Sequence, residues 1–80
     1  MRATVLVRPR DGILDPQGEA VEKSLRKLGF EVQGVRVGKV IDVEMQAEGA
    51  GHARTELERM CDELLANPLI ESYEIQLDES

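Results

Sequence analysis

Period-two and helical patterns of apolar residues alternate along the chain. Residues 4–8 combine β-branched and apolar types in a period-two pattern, which predicts a first strand. Pro9 removes a ladder donor and Asp11–Gly12 favours a turn, so the strand is expected to end there.

A helix is predicted after this turn. Asp15 is suited to the N-cap position and Pro16 to the first helical position. Proline is tolerated there because an N–H at this position has no acceptor within the helix. Gly29 is suited to the left-handed residue that ends a helix. The predicted buried face consists of apolar or small residues at helical spacing: Ala20, Val21, Ser24, Leu25 and Leu28.

Two further strands are predicted at residues 31–37 and 40–47. Gly38–Lys39 separates them and favours a tight hairpin, while Gly34 indicates a bulge in the earlier strand. The later strand alternates strictly between apolar and polar residues, which is typical of a strand with one solvated face.

A second helix is predicted from the apolar spacing between Ala53 and Leu65. Asn67 is expected to take the left-handed conformation at its end, and Pro68 prevents its continuation. Residues 73–77 alternate again and predict a final strand.

This order predicts an α+β protein of β-α-β-β-α-β type, a ferredoxin-like two-layer sandwich with an antiparallel sheet and two helices on one face. Residues 1–80 are expected to form a single domain. The open sheet face and the edge strands are places where a second copy is expected to dock.

Composition excludes several function classes. Sixteen acidic against ten basic residues give a net charge of −6, which disfavours nucleic acid as a partner. No apolar stretch approaches the about 20 residues of a membrane helix, and no export signal is present. With the single Cys61, these features indicate a cytoplasmic protein.

Residue types that could carry catalysis or hold a metal are sparse. His52 is the single histidine, without a nucleophile at triad spacing, and Cys61 lies on the predicted buried stripe of the second helix. No cysteine follows at metal-ligand spacing. Basic residues at 36 and 39 and at 8 and 10 suit an acidic partner surface, or are ordinary exposed charges. The residues predict a binding or scaffolding module without an active site, a cofactor or a metal.

Several segments, in order along the chain, resemble the PurS family, the small subunit of phosphoribosylformylglycinamidine (FGAM) synthase. The resemblance begins with LDPQG at residues 14–18 and continues through LGF at 28–30 and VRVGK at 35–39. It closes with LLANP at 64–68 and IESYEI at 70–75.

The resemblance implies a non-catalytic accessory subunit of a purine-biosynthesis ligase. It implies a large synthetase subunit and a glutaminase subunit as partners, which use ATP, Mg and glutamine, with this chain bridging them and assisting ammonia transfer. It also implies a homodimer or tetramer. The expected partner interface consists of Asp15, Pro16, Gln17, Gly18, Arg36, Gly38, Lys39, Asn67 and Pro68. Helix caps and stops are an alternative explanation for several of these residues.

A rival interpretation is a small-molecule-sensing regulatory module of the ACT type, which has the same element order and also dimerises. It requires a ligand pocket at the dimer interface. Tight binding of an amino acid or nucleotide by the purified chain would favour it.

Overall fold

A computed structural model describes residues 1–78 of the protein. The order is strand, helix, strand, helix, strand: β1 (Arg2–Pro9), α1 (Pro16–Lys27), β2 (Lys39–Glu44), α2 (Ala50–Met60) and β3 (Glu71–Asp78). A π-helical turn, Cys61–Leu65, continues α2. Glu79 and Ser80 of the predicted domain lie outside the described residues.

The three strands form an antiparallel sheet in the order β2-β1-β3. Val5 of β1 lies opposite Ile41 on one side and Ile75 on the other, so all three side chains point to the same face. β1 occupies the centre because its inward residues are small or β-branched and apolar, and both of its edges are bonded.

The core lies between this sheet face and α2. Val5, Val7, Leu57 and Cys61 are the largest side chains that are fully buried there. The predicted core position of Cys61 is confirmed. No helix among residues 1–78 is long and apolar enough to cross a membrane.

The predicted ends of α1 are confirmed. The Asp15 carboxylate accepts a hydrogen bond from the Gly18 N–H at 3.0 Å, with Pro16 at the start of the helix. Gly29 has φ +98°, and the Phe30 N–H donates to the Leu25 carbonyl at 3.0 Å, which closes the last turn.

The α+β class with an antiparallel sheet is confirmed, but residues 31–37 do not form the predicted strand. The predicted hairpin at Gly38–Lys39 is not formed either. The Arg36 side chain is bonded to the end of β1, and the Val37 N–H is bonded to the residue that caps the start of α1. The chain therefore runs through Gly38 directly into β2. A strand needs a neighbouring strand with which to form hydrogen bonds. β1 already has one on each side, so residues 31–37 cannot pair with it.

The two helices also differ from the predicted pair on one sheet face. α2 packs against the sheet, whereas α1 is not among the elements that pack closely together. Of the predicted buried face of α1, Val21 and Leu28 are exposed. After the turn at residues 28–29, residues 30–38 form no helix or strand before they join β2, and the Arg26 guanidinium donates to the Val32 carbonyl where this segment passes α1.

Candidate interaction surface

The predicted interface segments meet at one corner of the molecule, next to the end of β1. Arg36 organises this corner. One of its Nη atoms donates to the carbonyls of Pro9, at 2.6 Å, and Arg10, at 2.5 Å. The other lies 3.5 Å from the Asp11 carboxylate. Arg36 therefore fixes the segment before β2 against the segment after β1.

Asp15 makes a second connection at the same corner. Besides capping α1 through Gly18, its carboxylate accepts a hydrogen bond from the Val37 N–H at 2.8 Å. These two backbone donors, with the nearby Arg36 guanidinium, hold the pKa of Asp15 below its ordinary value. The LDPQG segment is thus attached to the VRVGK segment by an ionised side chain.

Two glycines allow the backbones to approach closely at this corner. A Cβ on Gly18 would collide with the Val35 carbonyl oxygen, and a Cβ on Gly38 would collide with that of Val7. Gly18 is buried, whereas Pro16 and Gln17 are exposed on the first turn of α1. Close packing of backbones within the chain therefore explains why both positions are glycine.

The third predicted segment, Asn67–Pro68, is joined to the corner through Arg10. The Arg10 guanidinium donates to the Pro68 carbonyl at 3.2 and 3.0 Å, and its backbone N–H donates to the Ile70 carbonyl at 2.9 Å. The sequence placed Arg10 in a basic spot and did not identify it as this connector. A side chain that bonds a distant carbonyl leaves no local pattern.

Asn67 differs from its predicted conformation. It does not have a positive φ, and its side chain instead accepts a hydrogen bond from the Leu69 N–H at 3.0 Å. The helix ends one residue earlier, where Ala66 is extended after the π-helical turn. A local Asx-type turn therefore replaces the left-handed stop.

Four basic residues line an open groove beside the corner: Arg8, Arg10, Arg36 and Lys39. Arg10 and Arg36 are engaged with backbone carbonyls. Arg8 and Lys39 are exposed, and within residues 1–78 neither forms an ion pair. The groove concentrates positive charge in a protein whose net charge is −6.

The groups considered for catalysis are placed for structural roles. The Nδ1 of His52 accepts a hydrogen bond from the Glu48 N–H at 3.2 Å, at the start of α2. Burial, reinforced by the acidic side chains of Asp62 and Glu58, raises the pKa of the Cys61 thiol. A raised pKa disfavours the reactive thiolate. In the described part of the chain, no three histidine, cysteine or acidic residues are grouped to hold a metal.

This arrangement suits the binding of a partner surface. The corner offers a backbone framework joined by hydrogen bonds, with exposed cations beside it. All nine predicted interface residues lie in the three segments that the corner brings together.

Comparison with known proteins agrees with this description. The family model described as PurS, phosphoribosylformylglycinamidine (FGAM) synthase, matches residues 2–79. The phosphoribosylformylglycinamidine synthase subunit PurS of Methanocaldococcus jannaschii is 40% identical over 78 residues, covering 96% of this chain and 94% of the relative.

Solved structures of relatives have the same fold. PurS of Bacillus subtilis superimposes with a TM-score of 0.87 at 34% identity, over 98% of both chains. A chain in the structure of PurLQS from Thermotoga maritima gives a TM-score of 0.85 at 37% identity, over 94% of this chain and 93% of that one. With matches of this extent in both sequence and structure, the chain belongs to the PurS family.

Proposed function

We propose that this chain is a non-catalytic accessory subunit of phosphoribosylformylglycinamidine synthase. In this role it bridges the large synthetase subunit and the glutaminase subunit in the cytoplasm and assists the transfer of ammonia between them. The observation that carries the proposal is the match to the PurS family over residues 2–79. The corner described above supports it, because its residues are arranged for binding and not for catalysis.

The solved structures support this assignment of partners. The Thermotoga maritima structure is of PurLQS, and this chain matches one of its chains along nearly its whole length. A protein of the same fold and comparable length can dock in the same way if its surface is complementary. The exposed Arg8 and Lys39 suit a partner surface that carries carboxylates.

A bridging role also has a physical reason. Ammonia released at one active site is protonated if it escapes into bulk water, and ammonium is not a nucleophile. A subunit that holds two active sites in fixed register shortens the path without taking part in either reaction. ATP, Mg and glutamine are then used by the partner subunits, and this chain contributes no ligand to them.

Reconstitution tests the proposal. The synthetase and glutaminase subunits of the same organism are purified and assayed with and without this chain, using either glutamine or ammonium salt as the nitrogen source. We expect glutamine-dependent product formation only when all three are present, and ammonia-dependent formation by the synthetase without the glutaminase. We also expect the three proteins to co-elute.

The isolated chain provides the matched control. It is expected to show neither glutaminase nor synthetase activity, because the single cysteine, Cys61, is buried and its thiol pKa is raised. Unaided turnover by a clean preparation, or full glutamine-dependent activity of the two partners without this chain, would overturn the proposal. Tight calorimetric binding of an amino acid or nucleotide would instead favour the sensing module.

A further inference from the structure

The groove beside the corner carries a local excess of positive charge. Four basic residues line it, and within residues 1–78 Asp11 is the single acidic residue that does so, which gives a local charge of +3. The whole chain has a net charge of −6. Charges of one sign that line a concave surface raise the local concentration of the opposite ion. The groove therefore attracts small anions to a protein that otherwise repels them.

Two of the four cations are held in place by backbone carbonyls. One Nη of Arg36 donates to the carbonyls of Pro9 and Arg10. The Arg10 guanidinium donates through Nε and one Nη to the Pro68 carbonyl. These carbonyl oxygens face a cation, so they repel an approaching anion less than free carbonyls do. The bonds also fix both side chains in advance, and less side-chain entropy is then lost when an anion binds.

The other two cations have no partner among the described residues. Arg8 and Lys39 are exposed, and within residues 1–78 neither side chain forms a hydrogen bond or an ion pair. Ser72 lies opposite Arg8 in the β1–β3 pairing, so the two side chains point to the same sheet face, and Ser72 also lines the groove. Donors that the fold does not use therefore gather at one place.

The groove has an apolar floor on the sheet face opposite α2. Leu6 alternates with the buried Val5 and Val7 of β1, so its side chain points away from α2. Val40 lies opposite Leu6 in β2 and points the same way. Apolar walls lower the local dielectric constant, which strengthens the attraction between the cations and an anion in the groove.

We propose that this groove binds a phosphate group, with Arg8 and Lys39 as its principal ligands and with Arg10 and Ser72 as further donors. A phosphate carries more charge and more acceptor oxygens than a carboxylate, so it can use several donors placed around it. An arginine fork bonds two phosphate oxygens at once, and a lysine adds a point charge.

Two sources of the phosphate group fit this groove. One is inorganic phosphate, and the other is a phosphomonoester whose carbon skeleton lies against Leu6 and Val40. Carboxylates of a partner subunit can use the same donors in the assembled enzyme, where they compete with phosphate. The inference does not rest on the proposed function. Its test uses the full chain without partner subunits, so its failure leaves the accessory role untouched.

Titration followed by NMR tests the site. Sodium phosphate and glycerol phosphate are added separately to the ¹⁵N-labelled chain at constant pH, with sodium chloride at matched ionic strength as the reference. We expect saturable shifts of the backbone amides of residues 36–40 and of Ser72 with phosphate, and small shifts that do not saturate with chloride. Tighter binding of glycerol phosphate would identify a phosphomonoester as the ligand, and equal or weaker binding would identify inorganic phosphate. Either result supports the site.

Arg8→Gln is the specific variant, and Arg54→Gln on α2 is its matched control. Both arginines are exposed, and within residues 1–78 neither side chain forms a hydrogen bond or an ion pair, so neither change should disturb the fold. Arg8→Gln removes a charge-assisted contact and should raise the Kd for phosphate roughly tenfold. Arg54→Gln should leave this Kd nearly unchanged.

Two kinds of result would overturn the proposal. The first is a wild-type titration in which phosphate shifts the amides no further than chloride does, or shifts them without saturation, since either outcome means screening alone. The second is equal weakening of phosphate binding by Arg8→Gln and Arg54→Gln, or no weakening by Arg8→Gln. The wild-type titration stands even if a variant fails to fold.

Discussion

The carboxylate of Asp15 accepts a hydrogen bond from the backbone N–H of Val37 at 2.8 Å, although 22 positions separate them in the sequence. The same side chain caps α1 through the Gly18 N–H. One residue thus fixes the start of the helix and the point where the chain returns from it. The attachment of α1 to the segment before β2 depends on this carboxylate.

Asp15→Ala is expected to lower the thermal midpoint by on the order of 5 °C, because it removes a helix cap and the bond to Val37 together. Asp15→Asn should fall between this variant and the wild type. Its amide oxygen can still cap Gly18, but its NH₂ group cannot accept from Val37. Circular dichroism melting provides the measurement, and equal midpoints for the two variants would contradict the double role.

Acidification is expected to weaken the same attachment. The folded pKa of Asp15 is lowered, so its stabilising contribution is fully present above the ordinary value of about 3.9 and is lost as pH falls through the folded value. Glu44, whose pKa is lowered by Arg2, acts in the same direction. Urea unfolding from pH 6 to pH 2 should show declining stability below about pH 4. Asp15→Asn should show a shallower decline, and an identical slope would refute the assignment.

Gly38→Ala is expected to destabilise the chain by about 1–3 kcal/mol, because the new Cβ meets the Val7 carbonyl in the backbone of β1 and one of the two must shift. Gly51→Ala is the matched control. Its Cβ meets nothing within 4 Å and lies in α2, so it should be neutral or stabilise by up to about 1 kcal/mol. Urea midpoints compare the two variants. A neutral Gly38→Ala would show that close approach does not require this glycine.

Lys39→Glu is expected to weaken assembly with the synthetase and glutaminase subunits while leaving the thermal midpoint unchanged. Lys39 is exposed beside the basic groove, and reversing its charge opposes an acidic partner surface. We expect a roughly fivefold higher Kd, which corresponds to about 1 kcal/mol.

Arg54→Glu makes the same charge change on the exposed surface of α2, away from the groove. It should leave assembly nearly unaffected if the groove is the contact. Titration of the partner subunits with each labelled variant measures both constants. Equal weakening by the two variants would indicate that net charge matters rather than the groove.

The sequence alone predicted the elements whose signals are local. β1, α1, β2, α2 and β3 follow from periodicity, and the caps at Asp15 and Gly29 follow from side-chain and backbone chemistry within a few residues. The family resemblance was also present in the sequence, because LDPQG and VRVGK are contiguous motifs. These features do not depend on where distant segments lie.

Only the tertiary structure decided where α1 and residues 28–38 lie and how the corner is built. Gly38–Lys39 has the composition of a hairpin turn, but Arg36 and Asp15 bond residues distant in the sequence and direct the chain straight into β2. Arg10 likewise finds the Pro68 carbonyl, 58 positions away. A strand, a buried helix face or a bridging side chain exists only when its partner is beside it, and the position of that partner is a property of the folded chain.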